Sequence, residues 1–545
     1  MGLQDIHVAA RLKALEPHIS NICRAGGAPG LSLAVLHHGA VVYSKHFGCC
    51  DVETEEPPDG DTVYFIGSLT KAMVSALVGI CVEAGLLEWT TPICSILPEI
   101  VDTFQGRGSQ LTALDLLSHR VGVSRGDALW LQRAGNILMP KSKGIDTWTS
   151  LPLVRDFRTD YLYSNFGYDM AGRAIEKLTG MSLGENLRSK IFEPLGMTRT
   201  SLQDDFSDGS NYAKAYFALD DASPFQVPIP TISDKTLMAA AGSVRSCTND
   251  LARFYASFLH AVNDQFLNNT TSTAGSPFKQ LVQILQPHSQ LTMVSLREQS
   301  YALGWGRAQL PCVLGAFNYN KYLVPQMPVI GKDAPSKLAV YHGGSMQGFT
   351  SSVYLLPETE TAIIALQNST GLCDPCDWIA QLAIETLLGN KQLPESFEKL
   401  ANTAAATGAG LAAAIDRKLQ QERKPGTQPR QLLAYVGRYW NKVKTFRIDI
   451  TVCNKDEDEE LHMCFQGVEN ETYRLRHYHH DVFVWNASHN DTARQGRFQT
   501  RPFYSYKIEF ELDAVEKGEQ TVEVKAKSLR WMYDDLPKPV TFVLE

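Results

Sequence analysis

Apolar segments separated by polar turns organise the first part of the chain. Residues 31–36 and 41–47 predict one β-hairpin, and residues 351–356 and 361–367 predict a second one. An apolar helix is predicted at residues 376–388, directly after the second hairpin. Because strands stand at both ends and helices lie between them, the pattern favours an α+β fold with an antiparallel sheet packed by helices.

The last part of the chain has a different pattern. Residues 401–428 change from alanine-rich to charged and end in a Lys-Pro-Gly-Thr segment, which predicts a helix followed by a linker. Short alternating segments follow at residues 445–452, 460–466, 473–476, 482–485, 506–512, 521–524 and 540–544. Seven or eight strands at this spacing predict a small antiparallel barrel or sandwich. We therefore expect one domain at 1–400, a helix and linker at 401–430, and an all-β domain at 431–545.

Composition agrees with a globular protein of two or more domains. The 545 residues are 44% hydrophobic and 20% charged, and the net charge of -8 argues against nucleic acid as a partner. Residues 1–11 contain neither a basic nor an apolar run, so no secretory signal is expected, and no apolar segment is long enough to span a membrane. Eleven cysteines without a signal sequence indicate reduced thiols, and we expect a cytoplasmic protein.

Three short motifs concentrate the candidate chemistry: Ser-Leu-Thr-Lys at residues 68–71, Tyr-Ser-Asn at 163–165 and His-Gly-Gly at 342–344. A serine hydroxyl is a poor nucleophile near neutral pH and needs a neighbour that takes its proton. Ser68 and Lys71 lie three residues apart on one face of a predicted helix, so their side chains meet. Lysine can take the proton when burial or a nearby cation lowers its pKa. The motifs together indicate a serine acyl-transfer site.

The Ser-x-x-Lys pattern occurs three times, and its context separates the copies. Ser68 follows the strand-like residues 63–66 and precedes an apolar segment at 72–82, which predicts a deeply buried helix with Ser68 at its positive end. The copies that begin at Ser276 and Ser396 stand in polar surroundings and indicate helix caps. The first copy is therefore the catalytic candidate.

The motifs belong to a longer set of segments that resembles a known family. The segments are residues 61–68, 114–123, 163–168, 241–244, 249–254, 301–305 and 342–351. They resemble the beta-lactamase-related serine hydrolases, which include class C beta-lactamases, penicillin-binding proteins, D-aminopeptidases, family VIII esterases and lovastatin-type acyltransferases. The resemblance covers roughly residues 10–390 and implies a beta-lactamase/transpeptidase-like fold. Residues 435–439 resemble the start of the lipocalin-like barrel attached to some serine peptidases of this family.

The resemblance assigns a role to each catalytic candidate. Ser68 would be the acylated nucleophile and Lys71 its proton partner. Tyr163 would be the second general base and then the acid for the leaving group. Asn165 would orient Lys71 and bind an oxygen of the substrate. The backbone N–H groups of Ser68 and Ser345 would form the oxyanion hole.

The third motif supplies the remaining substrate-binding candidates, which are His342, Gly344 and Ser345. His342 stands where beta-lactamases and transpeptidases have lysine, whereas esterases, aminopeptidases and acyltransferases of the family commonly have histidine. Lysine is a cation that binds a substrate carboxylate, but histidine near pH 7 is mostly neutral. We therefore expect a preference for neutral acyl donors.

These expectations describe a serine hydrolase or acyltransferase that acts on a small-molecule ester, thioester or amide. Water, or an acceptor alcohol or amine, would resolve the acyl-enzyme, and no metal or organic cofactor is expected. A D-amino-acid-specific aminopeptidase or amidase is the nearest alternative, and a non-catalytic acyl-binding scaffold protein is an alternative from another class. The sequence is compatible with a homo-oligomer. Since every motif precedes the linker, the barrel is expected to fold separately and to supply no catalytic side chain.

Three further features have competing interpretations. Cys373 and Cys376 have the spacing of a redox or zinc site, but no second pair with matching spacing exists, which favours a structural role. Residues 477–480 (His-Tyr-His-His) fall between two predicted strands and indicate a polar turn rather than a metal site. Trp305 either lines the acyl pocket or fills the core, and the sequence leaves both open.

Overall fold

The chain folds into a helix-covered antiparallel sheet followed by a closed β-barrel. The computed structural model describes residues 3–203, 211–291, 295–389, 394–455, 458–500, 502–517 and 521–545. Its helices are α1 (Leu3–Lys13), α2 (Glu16–Gly26), α3 (Thr70–Glu83), α4 (Ala113–Leu117), α5 (Gly144–Ser150), α6 (Asn165–Thr179), α7 (Leu183–Leu187), α8 (Ala239–Gly242), α9 (Thr248–Asn268), α10 (Leu281–Leu285), α11 (Pro375–Leu387), α12 (Pro394–Glu422) and α13 (His489–Arg494).

The strands fall into two groups along the chain. Those of the first region are β1 (Gly30–His37), β2 (Ala40–Gly48), β3 (Tyr64–Phe65), β4 (Ala215–Ala218), β5 (Pro224–Val227), β6 (Arg245–Ser246), β7 (Ser289–Gln290), β8 (Gln299–Tyr301), β9 (Gly306–Gln309), β10 (Cys312–Val313), β11 (Val329–Ile330), β12 (Leu338–Met346), β13 (Phe349–Leu356), β14 (Thr361–Gln367) and β15 (Ser369–Thr370). Those of the barrel are β16 (Gly437–Trp440), β17 (Arg447–Lys455), β18 (Asp458–Phe465), β19 (Thr472–His479), β20 (Val482–Val484), β21 (Lys507–Lys517), β22 (Thr521–Trp531) and β23 (Val540–Leu544).

The central sheet joins the two ends of the first region. Its strand order is β2-β1-β14-β13-β12-β9-β8-β7, and the neighbouring strands are antiparallel. Both predicted hairpins are present, as β1–β2 and β13–β14. They lie side by side because β1 pairs with β14, with Leu31 opposite Gln367. The predicted antiparallel sheet packed by helices is confirmed.

Helices cover both faces of this sheet. Leu31, Leu33 and Val35 of β1 belong to a core shared with α1, α2 and α11, whereas Ala34 and Leu36 belong to the core that contains α3 and α9. A strand that is buried on both faces needs apolar side chains at every position rather than at alternate ones. This burial explains why residues 31–36 are nearly continuously apolar.

The predicted C-terminal barrel is confirmed as a closed barrel of eight strands, β16 to β23 in chain order. Aromatic side chains fill its interior, with Phe465 and Trp531 stacked at a ring-centroid distance of 5.1 Å. Phe446, Trp485 and Phe542 are also buried in this core. Closure leaves no unpaired sheet edge, which accounts for stable short strands in this segment.

The prediction of a polar turn at residues 477–480 is wrong for most of the segment. Strand β19 continues to His479, so only His480 lies outside it, where φ is +46°. Tyr478 is 2% exposed, and its hydroxyl donates to the backbone oxygen of Leu419 at 2.5 Å. Tyr478 is thus a buried strand residue that contacts helix α12. The sequence did not indicate this burial, because the neighbouring residues on both sides are polar.

Helix α12 contacts both parts of the chain. Phe397 and Ala401 near its start pack into the core around α2 and α11, and Ile415 and Leu419 near its end pack into the core that includes the barrel. The residues that follow, 421–426, are exposed. Among the residues that the structure describes, no helix has the length and apolar character needed to cross a membrane.

The barrel also packs against the loop-rich residues 124–160 of the first region. The buried Arg497 donates through Nε to Gln132 Oε1 at 2.9 Å, and the backbone N–H of Arg133 donates to Glu471 Oε1 at 3.0 Å. Thr147 Oγ1 donates to the hydroxyl of Thr445 at 2.8 Å. The two regions therefore share a polar interface in addition to the connecting helix.

We predict that trypsin cleaves the native protein after Arg423 and Arg430, because this stretch is mostly exposed. The two pieces should remain associated, since the hydrogen bonds between the barrel and residues 124–160 do not depend on chain continuity. Intact mass spectrometry after size-exclusion chromatography measures both. Pieces that elute separately without denaturant would contradict the interface.

Candidate active site

Ser68 lies on a tight turn that leads into helix α3. Gly67 has a φ of +52°, a backbone conformation that favours glycine, and the 3-10 turn Gly67–Leu69 continues directly into the helix. A Cβ atom at Gly67 would lie 2.7 Å from the backbone nitrogen of Ser345. Glycine therefore allows the turn and strand β12 to approach each other, with Ser68 at the positive end of α3.

The Lys71 side chain lies one helical turn beyond Ser68 and is fully buried. Its Nζ is 3.0 Å from Ser68 Oγ, 2.9 Å from Asn165 Oδ1 and 2.8 Å from the backbone oxygen of Ala241. The two motif side chains meet, as their spacing predicts. Each of the three hydrogen-bonding positions around the nitrogen has a protein partner, so the amine is held in one place.

Tyr163 and Asn165 come from the start of helix α6. Ser164 is the N-cap, and its hydroxyl accepts the backbone N–H of Gly167 at 3.3 Å. This cap sets the chain on either side of it: Asn165 Oδ1 faces Lys71, and the Tyr163 hydroxyl donates to Ser68 Oγ at 2.7 Å. The second motif is thus brought to the first by the beginning of one helix.

His119, which belongs to a motif segment but received no role from the sequence, supports Tyr163 from behind. Its Nδ1 accepts the backbone N–H of Ser164 at 3.0 Å, and its ring lies 4.4 Å from the Tyr163 ring. Burial lowers the pKa of His119 well below its ordinary value, and the nearby Lys71 lowers it further. His119 is therefore a neutral packing partner of the site.

Burial controls the protonation of the two groups beside Ser68. It lowers the pKa of Lys71 from its ordinary 10.5 to about 7, with Asp127 opposing this shift and Arg125 adding to it. Burial also raises the pKa of Tyr163, an effect that its hydrogen bond to Ser68 partly offsets. Near neutral pH, the Lys71 side chain is therefore present in both its neutral amine form and its charged ammonium form, while Tyr163 stays protonated.

The third motif lies on β12 beside the turn Gly67–Leu69, which we call the nucleophile turn because it carries the candidate nucleophile Ser68. A Cβ atom at Gly344 would stand 2.1 Å from the backbone oxygen of Ile66, so only glycine permits this approach. The residue after it, Ser345, is exposed and lines the cleft together with Ser68. The backbone N–H groups of Ser68 and Ser345 are the candidate oxyanion donors.

His342 lies under the cleft surface rather than in the cleft wall. It is 1% exposed, its ring stacks on Phe317 at 4.9 Å, and its Nε2 is 3.0 Å from the Tyr301 hydroxyl. Burial and the nearby Lys71 lower the pKa of His342 from 6.5 to about 3. The residue is neutral near pH 7, and its neighbour Gly343 rather than His342 itself lines the cleft.

Sequence reasoning missed three side chains of the loop at residues 124–130. Asp127 Oδ1 accepts hydrogen bonds from Asn165 Nδ2 at 2.9 Å and from Trp130 Nε1 at 3.1 Å, and Asp127 also pairs with Arg125 at 3.1 Å. The Arg125 guanidinium lies 5.7 Å from the centre of the Tyr163 ring. The charged residues on both sides of Gly126 in the sequence were the available signal.

The barrel forms part of the wall of the active-site cleft, which has a volume of about 1080 Å³. Besides Ser68, Tyr163 and Asn165, the cleft is lined by Phe498, Tyr504, Tyr533 and Asp534 of the barrel region. Ser68, Lys71 and Tyr163 do all precede the linker. The sequence did not indicate that barrel residues would also line this cleft, because no sequence pattern links them to the three motifs.

Other sequence candidates lie elsewhere. Ser276 Oγ accepts the N–H of Phe278 in a loop, and Ser396 lies within α12. Cys373 and Cys376 are buried, and burial raises the pKa of both thiols, which supports a structural role. Trp305 packs against aromatic core residues. Within the described ranges, no group of three or more His, Cys, Asp or Glu side chains could hold a metal ion.

Comparison with family models matches most of the chain. Residues 12–384 match the beta-lactamase model, and residues 421–535 match a domain of unknown function. The first match spans the sheet and all three motifs. The second spans most of the barrel.

Curated relatives agree with the first match. The chain is 24% identical to an unguisins hydrolase of Aspergillus violaceofuscus over 76% of this chain and 72% of the relative. It is 23% identical to a beta-lactamase of Escherichia coli over 62% of this chain and 84% of the relative. It is 26% identical to an acyltransferase of Monascus pilosus over 36% of this chain and 54% of the relative.

A solved structure extends the likeness in fold to the barrel. The octameric penicillin-binding protein homologue from Pyrococcus abyssi superposes with a TM-score of 0.56 at 20% identity. The alignment covers 97% of this chain and 99% of that one, so the sheet and the barrel are both included. Together with the match over residues 12–384, this establishes that the chain belongs to the beta-lactamase family of serine hydrolases.

Proposed function

We propose that the protein is a serine hydrolase or acyltransferase in which Ser68 forms an acyl-enzyme with a small-molecule ester, thioester or amide. The hydrogen bonds at Ser68 Oγ support this proposal. Tyr163 donates to that oxygen at 2.7 Å, so the Ser68 hydroxyl is left to donate its own proton. Lys71 Nζ, 3.0 Å away, donates to the same oxygen while it is charged, and because its pKa is about 7 its neutral form is the acceptor within reach.

Acylation then follows from these positions. Ser68 Oγ attacks the carbonyl carbon while its proton passes to neutral Lys71, and the N–H groups of Ser68 and Ser345 stabilise the oxyanion. The leaving group takes a proton from the Tyr163 hydroxyl as the carbonyl reforms. The Lys71 ammonium returns a proton to Tyr163, which restores both groups. Tyr163 acts here as an acid, because its raised pKa disfavours a resting tyrosinate.

The acyl-enzyme can be resolved by water or by an acceptor alcohol or amine. Similarity to both hydrolases and an acyltransferase supports either outcome for this chain. The D-amino-acid-specific aminopeptidase or amidase remains an alternative within the same chemistry. The scaffold alternative is disfavoured because Ser68, Lys71 and Tyr163 are all hydrogen-bonded in one reactive arrangement.

The charges near the site support neutral acyl donors. His342 is buried and neutral, and the Arg125 cation at the cleft is paired with the Asp127 carboxylate. Neither of these two residues therefore offers an unpaired cation to a substrate carboxylate beside Ser68, which would lose hydration there without an ion pair from them.

We predict that a fluorophosphonate labels the protein once, at Ser68, and that Ser68→Ala abolishes labelling. Removal of the nucleophile should lower kcat for p-nitrophenyl acetate by several orders of magnitude while the fold is retained. Intact-mass and peptide mass spectrometry locate the label, and thermal unfolding checks the fold.

The matched control is Ser276→Ala, which removes the serine of another Ser-x-x-Lys pattern. This variant should label and turn over like the unaltered protein. A label outside the peptide that contains Ser68, or normal turnover by the Ser68→Ala variant, would refute the proposed nucleophile.

We predict that the acylation rate rises with pH through an apparent pKa near 7. The charged form of Lys71 cannot take the serine proton, so the active fraction grows as the pH passes its pKa of about 7. At pH 6, one unit below this pKa, the rate should be about tenfold below its plateau. Stopped-flow acylation with p-nitrophenyl acetate between pH 5 and 9 measures this rise in rate, which is the acidic limb of the pH profile.

His342→Gln is the control for the pH profile. His342 is already neutral above about pH 4, since its pKa is about 3, so its replacement should leave the limb where it is. A limb that disappears in this variant would assign the titration to His342 instead of Lys71.

We predict that benzylpenicillin acylates Ser68 about tenfold or more slowly than benzylpenicillin methyl ester, because desolvation of its carboxylate is not repaid. The two compounds differ only at this carboxyl group, which the ester makes neutral and enlarges by one methyl. Competition against the fluorophosphonate gives both rates, and faster acylation by the free acid would show that the cleft offers an anion site.

A further inference from the structure

Asp534, which lies between strands β22 and β23 of the barrel, contacts the loop at residues 124–130, and Asp127 of that loop binds the Asn165 side chain. Asp534 Oδ2 accepts the backbone N–H of Arg125 at 2.8 Å and that of Gly126 at 3.1 Å. Its other oxygen, Oδ1, accepts the N–H of Asp535 at 2.9 Å, so the carboxylate is itself fixed by its own turn. A carboxylate that accepts two consecutive N–H groups determines where that piece of backbone lies.

The same loop carries Asp127, and Asp127 determines the orientation of Asn165. The Asn165 side chain has a donor end and an acceptor end, and Asp127 Oδ1 accepts from the donor end at 2.9 Å. The acceptor end must then face Lys71, whose Nζ is 2.9 Å away. If the amide were turned over, its NH₂ group would face the Lys71 nitrogen and its oxygen would face the Asp127 carboxylate.

These contacts form one continuous connection from the barrel to the nucleophile. It runs from Asp534 through the backbone of Arg125 and Gly126 to Asp127, Asn165, Lys71 and Ser68. Each contact is between 2.8 and 3.1 Å long. The loop also presents two opposite charges to Lys71, and both would move with it.

We propose that Asp534 is a positioning residue for the active site, through which the barrel sets the loop that orients Asn165 and the amine of Lys71. This inference rests on the proposed function of Ser68 and Lys71. Asp534 would then influence acylation from the barrel, although its own side chain does not touch the reacting atoms. A displacement of about 1 Å in such a supporting element can reduce a rate by about a hundredfold.

The pH profile distinguishes positioning from simple stabilisation. The ionisable groups around the Lys71 amine are Asp127, Arg125, His119, His342, Tyr163 and Tyr168. Asp127 raises the pKa of Lys71 more than Arg125 lowers it. A loop that moves away would change both these charges and the burial of the amine, so it should change the pKa of Lys71 and shift the acidic limb of the rate, whereas a residue that only stabilises the fold would leave the limb in place.

The test uses the full-length Asp534→Ala, Asp534→Asn and Asp535→Ala variants with p-nitrophenyl acetate. Active sites are counted by fluorophosphonate titration, so misfolded protein does not affect kcat. We expect Asp534→Ala to lower kcat about ten- to a hundredfold with KM within about twofold, and to shift the acidic limb of the rate away from its position in the unaltered protein. Asp534→Asn keeps an acceptor oxygen and should recover most of the rate.

Asp535→Ala is the matched control. It removes a neighbouring negative charge from the same cleft wall, but its side chain is 80% exposed and pairs with Arg155 only at 3.5 Å. It should behave like the unaltered protein. Equal effects of the two alanine variants would reduce the observation to a general charge effect and overturn the proposal.

A double-mutant cycle keeps the proposal testable if Asp534→Ala does not fold. Asp534→Glu keeps the charge but lengthens the side chain by one methylene, so it should displace the loop and lower kcat in the unaltered background. Because Asp534 acts through Asp127, this variant should have no further effect on kcat in the Asp127→Ala background. Additive effects, or an unchanged kcat and pH limb in Asp534→Ala, would overturn it. Failure of the proposed function is distinct, since the unaltered protein would then not be labelled at Ser68.

Discussion

The burial of one lysine amine is the constraint on which the rest of the site depends. A pKa lowered from 10.5 to about 7 corresponds to roughly 5 kcal/mol against the charged form of Lys71. The side chain remains in place because Ser68, Asn165 and the carbonyl of Ala241 supply its hydrogen bonds without water. The positive end of α3 further disfavours the ammonium and favours an oxyanion at Ser68. In the proposed mechanism, removing water from the amine thus gives the site both its base and its electrostatics.

Close backbone contacts make this burial possible. The apolar helix α3 is covered on nearly every side, so the Lys71 side chain has no route to solvent along its own helix. Glycine at positions 67 and 344 lets the nucleophile turn and β12 approach without a Cβ atom between them. The same approach brings the N–H group of Ser345 beside Ser68. The dry surroundings of Lys71 and the proposed oxyanion donors therefore follow from one packing arrangement rather than from two.

Local patterns could be predicted from the sequence, and long-range contacts could not. The hairpins β1–β2 and β13–β14 follow from apolar runs and turns, and the meeting of Ser68 with Lys71 follows from helix geometry. The burial of His342 depends on Phe317, which comes from a loop-rich segment without periodicity. The contact of Asp534 with the backbone of Arg125 joins positions more than 400 residues apart, and no spacing rule connects them. The prediction of a turn at 477–480 was wrong because Tyr478 is buried although its neighbours in the sequence are polar.

The orientation of the barrel is determined by its interface rather than by its linker. Residues 421–426 are exposed and impose little on their own, whereas Arg497, Glu471 and Asp534 make directed hydrogen bonds to the loop-rich residues 124–160. The hydrogen bonds of the buried Arg497 and Glu471 are costly to break, because each leaves a buried donor or acceptor unpaired. A barrel that shifted would lose them together with the two hydrogen bonds between Asp534 and the loop of Asp127. The proposed acylation chemistry and the packing of the barrel on the first region therefore depend on the same few polar contacts.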